Sequence, residues 1–316
     1  MIIDAHLHIG LNNHPEDHFL DLLDRRGVDK AWVLTWDELD PVLPDYYIPL
    51  DIETVSRTFR KHPDRIVPFY APDPARKNWK DLLTKRLDEG FAGCGELKVP
   101  YNWDAAVMQP LLEYLNQHSL PLIFHMEQSK HVFTPGKDRG IDWLLKRLVN
   151  ERFNGRTAHI IQHAKKRFGI GKRYLDKRLK EFPGYLQGFN ELKDALEKYP
   201  NIRFVAHGPH FWNHISIPEK HYLFLQDGRF NGKGEAWKLL EDFPNLYCDI
   251  SGHSGATALK RDEKMTGAFL EQFGNKILFG TDNTNFGMRE LVEKHLTEKE
   301  KRDAVLYKNA LSLTGK

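Results

Sequence analysis

Four stretches of the chain repeat one phrase of polar and apolar residues: an amphipathic helix end, a Pro or Gly turn, and a short β-rich run. Lys61-His62-Pro63-Asp64 leads into Arg65-Ile66-Val67-Pro68-Phe69, and Lys198-Tyr199-Pro200-Asn201 into Ile202-Arg203-Phe204-Val205-Ala206. Asp242-Phe243-Pro244-Asn245 leads into Leu246-Tyr247-Cys248-Asp249-Ile250, and Gln272-Phe273-Gly274-Asn275 into Lys276-Ile277-Leu278-Phe279-Gly280. Pro and Gly stop each helix, and the runs that follow have strand composition. Similar runs near residues 2–7, 31–35, 94–99 and 120–124 bring the predicted strands to eight, separated by helical segments. Strands alternating with helices imply right-handed βαβ units and a parallel sheet. Eight such units predict a closed (β/α)8 TIM barrel in preference to an open doubly wound sheet.

The spacing departs from this rhythm once. From the fifth strand, near 120, to the sixth, near 202, the interval is about twice that of the others, which predicts a helical insertion after the fifth strand. Residues 128–180 carry fifteen Lys or Arg and four Asp or Glu, a net charge of about +11 against +2 for the whole chain. That segment reads either as a solvated helical surface or homo-oligomer contact, or as a basic cap that draws an anionic substrate to the barrel mouth.

Composition narrows the class. With 316 residues, 41% hydrophobic and 28% charged, the chain can bury a large core; the expectation is one domain over residues 1–316 with the inserted basic segment at about 128–180. A net charge of +2 gives no global argument for nucleic acid or for a membrane surface. Cys94 and Cys248 are too few for a disulfide framework and read as buried small hydrophobes. The first apolar run is interrupted by Asp4 and His6, leaving no room for a signal peptide, and no run approaches the roughly 18 apolar residues of a membrane span. A cytoplasmic protein acting on a small molecule is expected.

The candidate chemistry sits where barrel enzymes place it, at the C-terminal ends of strands. In the first strand Asp4, His6 and His8 alternate with Ile3, Ala5 and Leu7, so strict pleating puts the polar set in the lumen and the apolar set against the helices. Three polar groups in a row are costly to bury without partners, and a divalent cation would supply one. The fifth strand ends in His125, the sixth in His207-Gly208, and the eighth runs Phe279-Gly280-Thr281-Asp282. In the fourth, Glu96 and Lys98 share a face that enters the lumen, as an ion pair or substrate contact. His210 and His214, after the sixth strand, and His253, after the seventh, are loop residues within reach of substrate, as are Ser251 and Ser254. No Gly-x-Ser-x-Gly elbow supports a Ser-His-Asp triad, and no Gly-x-Gly-x-x-Gly or Walker sequence supports a nucleotide.

Asp4-x-His6-x-His8, His125, His207-Gly208 and Phe279-Gly280-Thr281-Asp282, in that order from the first strand to the eighth, resemble the amidohydrolase superfamily, closest to its amidohydrolase-related (type 2) branch of hydrolases and decarboxylases. The resemblance implies a distorted barrel with a metal at its mouth. His6, His8 and His125 match metal-binding histidines. Asp282 matches the carboxylate that binds metal and handles the proton of the bound water, and His207 a histidine that contacts substrate or acts as acid/base. Three imidazoles and a carboxylate suit Zn²⁺, with Mn²⁺ as the alternative. Some members bridge two metals with a carbamylated fourth-strand lysine, a role open to Lys98. The resemblance further implies hydrolysis of an amide, ester or lactone by a metal-activated water, or non-oxidative decarboxylation of a carboxylic acid on the same site. The His-x-His opening is also similar to barrel phosphoesterases of the polymerase-and-histidinol-phosphatase type, but the Gly280-Thr281-Asp282 ending fits the amidohydrolases better. Loop side chains at Trp36, Tyr101, Trp103, Trp212 and Arg261 are expected to set the substrate.

Overall fold

In the computed structural model of the protein, which describes residues 1–11, 16–37, 50–133, 179–218 and 228–315, each predicted strand is present. In chain order these are β1 (Ile3–Leu7), β2 (Lys30–Val33), β3 (Ile66–Pro68), β4 (Cys94–Leu97) and β5 (Pro121–His125), then, after an antiparallel pair of β6 (Lys130–Phe133) and β7 (Leu179–Phe182), β8 (Arg203–His207), β9 (Leu246–Asp249) and β10 (Ile277–Leu278). They form two parallel arcs, β1-β2-β3 and β10-β9-β8-β5-β4. Backbone hydrogen bonds join the arcs at both seams: Ala92 N to Pro68 O (2.8 Å) and Tyr70 N to Gly93 O (3.2 Å) on one side, Ala5 N to Phe279 O (2.8 Å) and Asp282 N to His6 O (2.8 Å) on the other. The architecture is a (β/α)8 barrel, whose closure removes the unpaired edges an open sheet would present.

Helices around the barrel show why the repeated phrase folds as it does. Helix Ile52–Lys61 begins at Asp51, whose side chain accepts from Glu53 N at 3.0 Å, and ends with Arg60 and Lys61 in its last turn, with only His62 between it and Pro63. Cap, charge order and stop all agree. Helix Glu263–Phe273 is capped likewise by Asp262, which accepts from Met265 N at 3.2 Å.

Two apolar layers result. Outward residues such as Ala31, Val33, Leu122, Phe124 and Phe204 pack against the helices, and in this layer lie Trp103 and Trp212. Both tryptophans are fully buried, and Trp103 Nε1 donates to Leu186 O at 3.2 Å. The expectation that they face substrate is therefore corrected: a large flat side chain between helix and strand is worth more as packing. Inside the barrel, Ile3, Ala5, Trp32, Val67, Phe69, Ile123, Val205 and Leu278 fill the floor, and Ala310 and Leu313 of the C-terminal helix Asn309–Thr314 close it from below.

The alternation expected in β1 fails. Asp4 pairs with Ala31 and Leu7 with Val33, three steps on β1 against two on β2. This bulge inserts one residue and reverses the facing beyond it. Ile3 and Ala5 belong to the inner floor, His6 and His8 still face the lumen above them, and Leu7 packs outward. Asp4 is buried beside Thr281 instead of sharing the histidines' face. The same three-against-two slip occurs in β4 between Cys94 and Leu97.

The ends of the predicted helical insertion are also different: Lys130–Phe133 and Leu179–Phe182 are antiparallel strands, in register from Lys130↔Phe182 to Phe133↔Leu179. Four-residue strands are too short to show a periodicity in a segment read by its charge. Residues 134–178, most of the basic segment, lie outside the described residues.

Candidate active site

At the mouth, the strand ends present their polar side chains to a common space. His6 and His8 follow the β1 bulge, and their Nε2 atoms lie 3.2 Å apart. Their opposite nitrogens are both engaged: His6 Nδ1 with Asp249 Oδ2 at 3.0 Å, and His8 Nδ1 with Leu34 O at 2.9 Å. A carbonyl or carboxylate oxygen only accepts, so each Nδ1 donates, and a neutral ring then turns a lone pair inward from Nε2. Two carboxylates approach those lone pairs. Glu96 Oε2 is 3.5 Å from both Nε2 atoms, and Asp282 Oδ1 is 3.9 Å from His6 Nε2 and 3.4 Å from His8 Nε2.

The chain after β10 is shaped to deliver Asp282. Asp282 and Asn283 both have positive φ, 49° and 59°. Asn283 sustains that conformation by clamping β1: its Oδ1 accepts from His8 N at 2.8 Å, and its Nδ2 donates to His8 O at 2.7 Å. Such strain persists only where the surroundings over-determine it, and it clusters at functional sites. Gly252 opens the helix after β9 with φ +69°, and a Cβ there would come within 2.9 Å of Asp282 Oδ2, so this position needs glycine.

Asp4, once expected in the lumen, acts from behind. Its Oδ1 accepts from Thr281 N (3.0 Å) and His6 N (3.2 Å), and its Oδ2 from Thr281 Oγ1 (2.6 Å). It ties the strand carrying the histidines to the segment carrying Asp282. Burial outweighs these hydrogen bonds and raises its pKa to about 6.

The electrostatics describe a site that seeks positive charge. Burial opposes a proton on His6, but Asp249 and Glu96 overcome it and push its pKa well above the ordinary imidazole range. Burial would raise Glu96, yet Lys98, His6 and His125 hold it well below the usual carboxylate range. Burial likewise opposes ionisation of Asp282, but the His8 hydrogen bond with the charges of His6 and His207 brings it to about 2. His8, by contrast, is lowered by burial.

The donor chemistry fits a divalent metal. Nε2 of His6 and His8 with a Glu96 oxygen, and His6 and His207 with an Asp282 oxygen, form two groups whose donor atoms lie within 4.8 Å of one another. Glu96 Oε2 supports this: it is fully buried and makes no aligned hydrogen bond, although Lys98 Nζ is 2.8 Å away. Imidazole plus carboxylate at this spacing is a ligand set for Zn²⁺ or Mn²⁺.

The other expected residues fall around this centre. His125 Nδ1 bonds Glu96 Oε1 at 2.8 Å, and its Nε2 lies 3.3 Å from Glu127 Oε2; it groups with Glu96 and His207. His207 Nδ1 bonds Asp249 Oδ1 at 3.0 Å, and its Nε2 is 3.9 Å from Asp282 Oδ2. Lys98 forms the expected pair with Glu96 and places Nζ 3.9 Å over the Trp36 ring, which meets His8 edge-on at 5.0 Å. His210 and His214 stack with Phe189, and burial lowers the His210 pKa to about 3. His253 is exposed beside Phe286. Neither His210 nor His253 belongs to a donor group among the described residues. Arg261 donates to Ser216 Oγ at 2.7 Å.

Two residues escaped the sequence reading. Asp249, fully buried, joins His6 to His207; the signal was a carboxylate closing an apolar β run, as Asp282 does. Glu127, paired with Lys130 and two residues past His125, carries no such mark in the sequence.

A family model described as Amidohydrolase matches residues 3–315. Among curated proteins none matches the sequence. Solved structures share the fold at low identity. A probable 2-pyrone-4,6-dicarboxylic acid hydrolase from Acinetobacter baumannii with citric acid bound has a TM-score of 0.56 and 11% identity, covering 100% of this chain and 99% of that one. A 2,6-dihydroxybenzoate decarboxylase complexed with 2,6-dihydroxybenzoate has a TM-score of 0.53 and 15% identity, covering 100% and 99%. A 5-carboxyvanillate decarboxylase from Novosphingobium aromaticivorans complexed with manganese has a TM-score of 0.51 and 13% identity, covering 95% and 80%.

Proposed function

We propose that this chain, which belongs to the amidohydrolase family, is a metal-dependent hydrolase of a small anionic or polar amide, ester or lactone, with Zn²⁺ as its ion. The observation that carries the reading is the asymmetry among its buried carboxylates. Asp282 has 30% of its side chain exposed at the mouth, whereas Glu96 and Asp249 are sealed at 1% and 0%. One carboxylate can meet a water and a substrate; the others serve as ligand and support.

His6, His8, Glu96 and Asp282 would hold the ion. A divalent metal bound there supplies Lewis acidity that brings the pKa of an attacking water toward about 7. Asp282, ionised at neutral pH with its pKa near 2, accepts the water's proton. His207 Nε2, 3.9 Å from Asp282 Oδ2, is placed to take that proton from Asp282 and pass it to the leaving group. Lys98, over Trp36, gives one wall of the mouth a positive charge; the +11 of residues 128–180 adds support for an anionic substrate. The reading takes the protein as cytoplasmic; among the described residues no helix is long and apolar enough to cross a membrane.

The test is metal content of protein purified without chelator, followed by hydrolysis assays on a panel of anionic lactones, esters and amides. Metal-loaded protein that turns over a panel member, and an Asp282→Asn variant that does not, are expected. Full activity in Asp282→Asn overturns the role of that carboxylate.

A second reading has its own observation. Lys98 Nζ, 2.8 Å from Glu96 and 3.9 Å over the Trp36 ring, puts a cation beside the donors that suits the carboxylate of an acid substrate, and non-oxidative decarboxylation would use the same donors. Release of CO₂ from aromatic acids, with no hydrolysis of the panel, would favour it.

A further inference from the structure

Asp249 sits at the end of β9 with no exposed surface, and both of its oxygens face imidazoles. Oδ2 is 3.0 Å from His6 Nδ1, and Oδ1 is 3.0 Å from His207 Nδ1. Oδ1 also accepts from Ser251 N at 3.1 Å and from Ser251 Oγ, which in turn lies 3.1 Å from His207 Nδ1. The two rings it joins are neighbours, with centroids 4.2 Å apart. An ionised carboxylate has no proton to give, so Asp249 accepts from both Nδ1 atoms and from Ser251 N and Oγ.

We propose that Asp249 is a shared positioning residue: one carboxylate fixes the tautomers of His6 and His207 together, leaving both Nε2 atoms bare toward the mouth. The proposal rests on the metal-dependent reading above, since the bare Nε2 of His6 is the one facing Glu96 and Asp282. In most sites each ligating histidine has its own acceptor behind it; His8 does, in Leu34 O. His6 instead shares its acceptor with a ring that holds a different place at the mouth, so both rings depend on one side chain.

Asp249→Asn has an uneven consequence that a packing role would not produce. An amide keeps one acceptor and turns the other into a donor. The backbone N–H of Ser251 cannot reverse, so the amide oxygen must take the Oδ1 position, and the NH₂ group then faces His6 Nδ1. His6 is forced to accept there and to carry its proton on Nε2, where its lone pair was needed. His207 keeps its tautomer. Ser251→Ala, which removes only the hydroxyl, leaves both tautomers in place.

The test measures Zn²⁺ affinity by competition with a chromophoric chelator, in the parent and both variants, with the folded state followed by circular dichroism. Asp249→Asn is expected to weaken binding about 10- to 100-fold, the usual range for losing such a partner, and Ser251→Ala to stay within about twofold. Parent affinity in a folded Asp249→Asn protein, or equal losses in both variants, overturns the proposal. Histidine ¹⁵N spectra of the parent, at a pH where the rings are neutral, give a second readout that survives misfolding of a variant. Nδ1–H tautomers for His6 and His207 are expected; Nε2–H on either overturns the proposal. A parent that binds no Zn²⁺ sinks the metal reading instead, and the tautomers still decide Asp249.

Discussion

At the floor of the barrel the inward residues are Ile3, Trp32, Val67, Ile123, Val205 and Leu278; at its mouth, two to five positions further along five of those six strands, they are His6 and His8, Trp36, His125, His207 and Asp282. Each of those five strands carries both jobs. The apolar side chains of the floor need nothing from outside the chain, because each meets another and Leu313 closes the base. At the mouth, His6, His8 and His207 are hydrogen-bonded through Nδ1 and turn Nε2 toward the carboxylates of Glu96 and Asp282. A core satisfied on one level supports a cluster that only a cation completes on the next. The comparison predicts that stability and metal chemistry can be damaged separately.

The largest separation should come from the floor. Phe69 is fully buried, with its ring 4.8 Å from that of Trp32. Phe69→Ala should cost about 3–5 kcal/mol of stability, read as a lower urea midpoint, while Zn²⁺ affinity stays within about twofold. A loss of affinity matching the loss of stability would show that floor and mouth are one unit.

The converse variant is Asp282→Asn. It keeps the shape of the side chain and should keep the urea midpoint of the metal-free protein, but turnover of the metal-loaded protein should fall about 10²- to 10⁴-fold, the range for removing a general base. A metal-free midpoint that drops with activity would mean that Asp282 holds the loop and not the proton. Chelating the metal from the parent should give a smaller change. Stability should fall by about 2.7 kcal/mol relative to protein held with free ion at 100 times its dissociation constant. Because floor and mouth are distinct, this loss should add to that of Phe69→Ala within about 0.5 kcal/mol.

How far the sequence shows this division depends on range. The floor and the strand ends are legible because apolar runs, Pro and Gly stops and a terminal polar residue are local signals: Leu122-Ile123-Phe124-His125 and Phe204-Val205-Ala206-His207 stand in the structure as they read. What is not legible comes from pairing. The β1 bulge shows only against β2, so strict alternation misassigns Ile3, Ala5 and Asp4. Trp103 and Trp212 stand in loop-like sequence but become core through neighbours remote in the chain. Asp249 ends its strand as visibly as Asp282, but its bond to His6 spans 243 positions. A carboxylate's partners, not its location, decide whether it supports or reacts.

Asp4 tests the border between the two levels, and its expected effect is the smallest. It lies beside the bulge, fully buried, with Thr281 N, Thr281 Oγ1 and His6 N all donating to it. Asp4→Asn keeps the Oδ1 acceptor for the two backbone donors and replaces Oδ2 by an amide, so the Thr281 hydroxyl must turn to accept. Removing a buried charge offsets part of that loss, since burial already works against the ionised form of Asp4. A stability change of about 1 kcal/mol is expected. The more informative readout is Zn²⁺ affinity. Asp4 positions both His6 and the residue before Asp282, so affinity should fall more than the small stability change suggests, by about tenfold. If affinity stays at the parent value, Asp4 belongs to the floor in energetic terms, and the boundary between the levels runs above the bulge instead of through it.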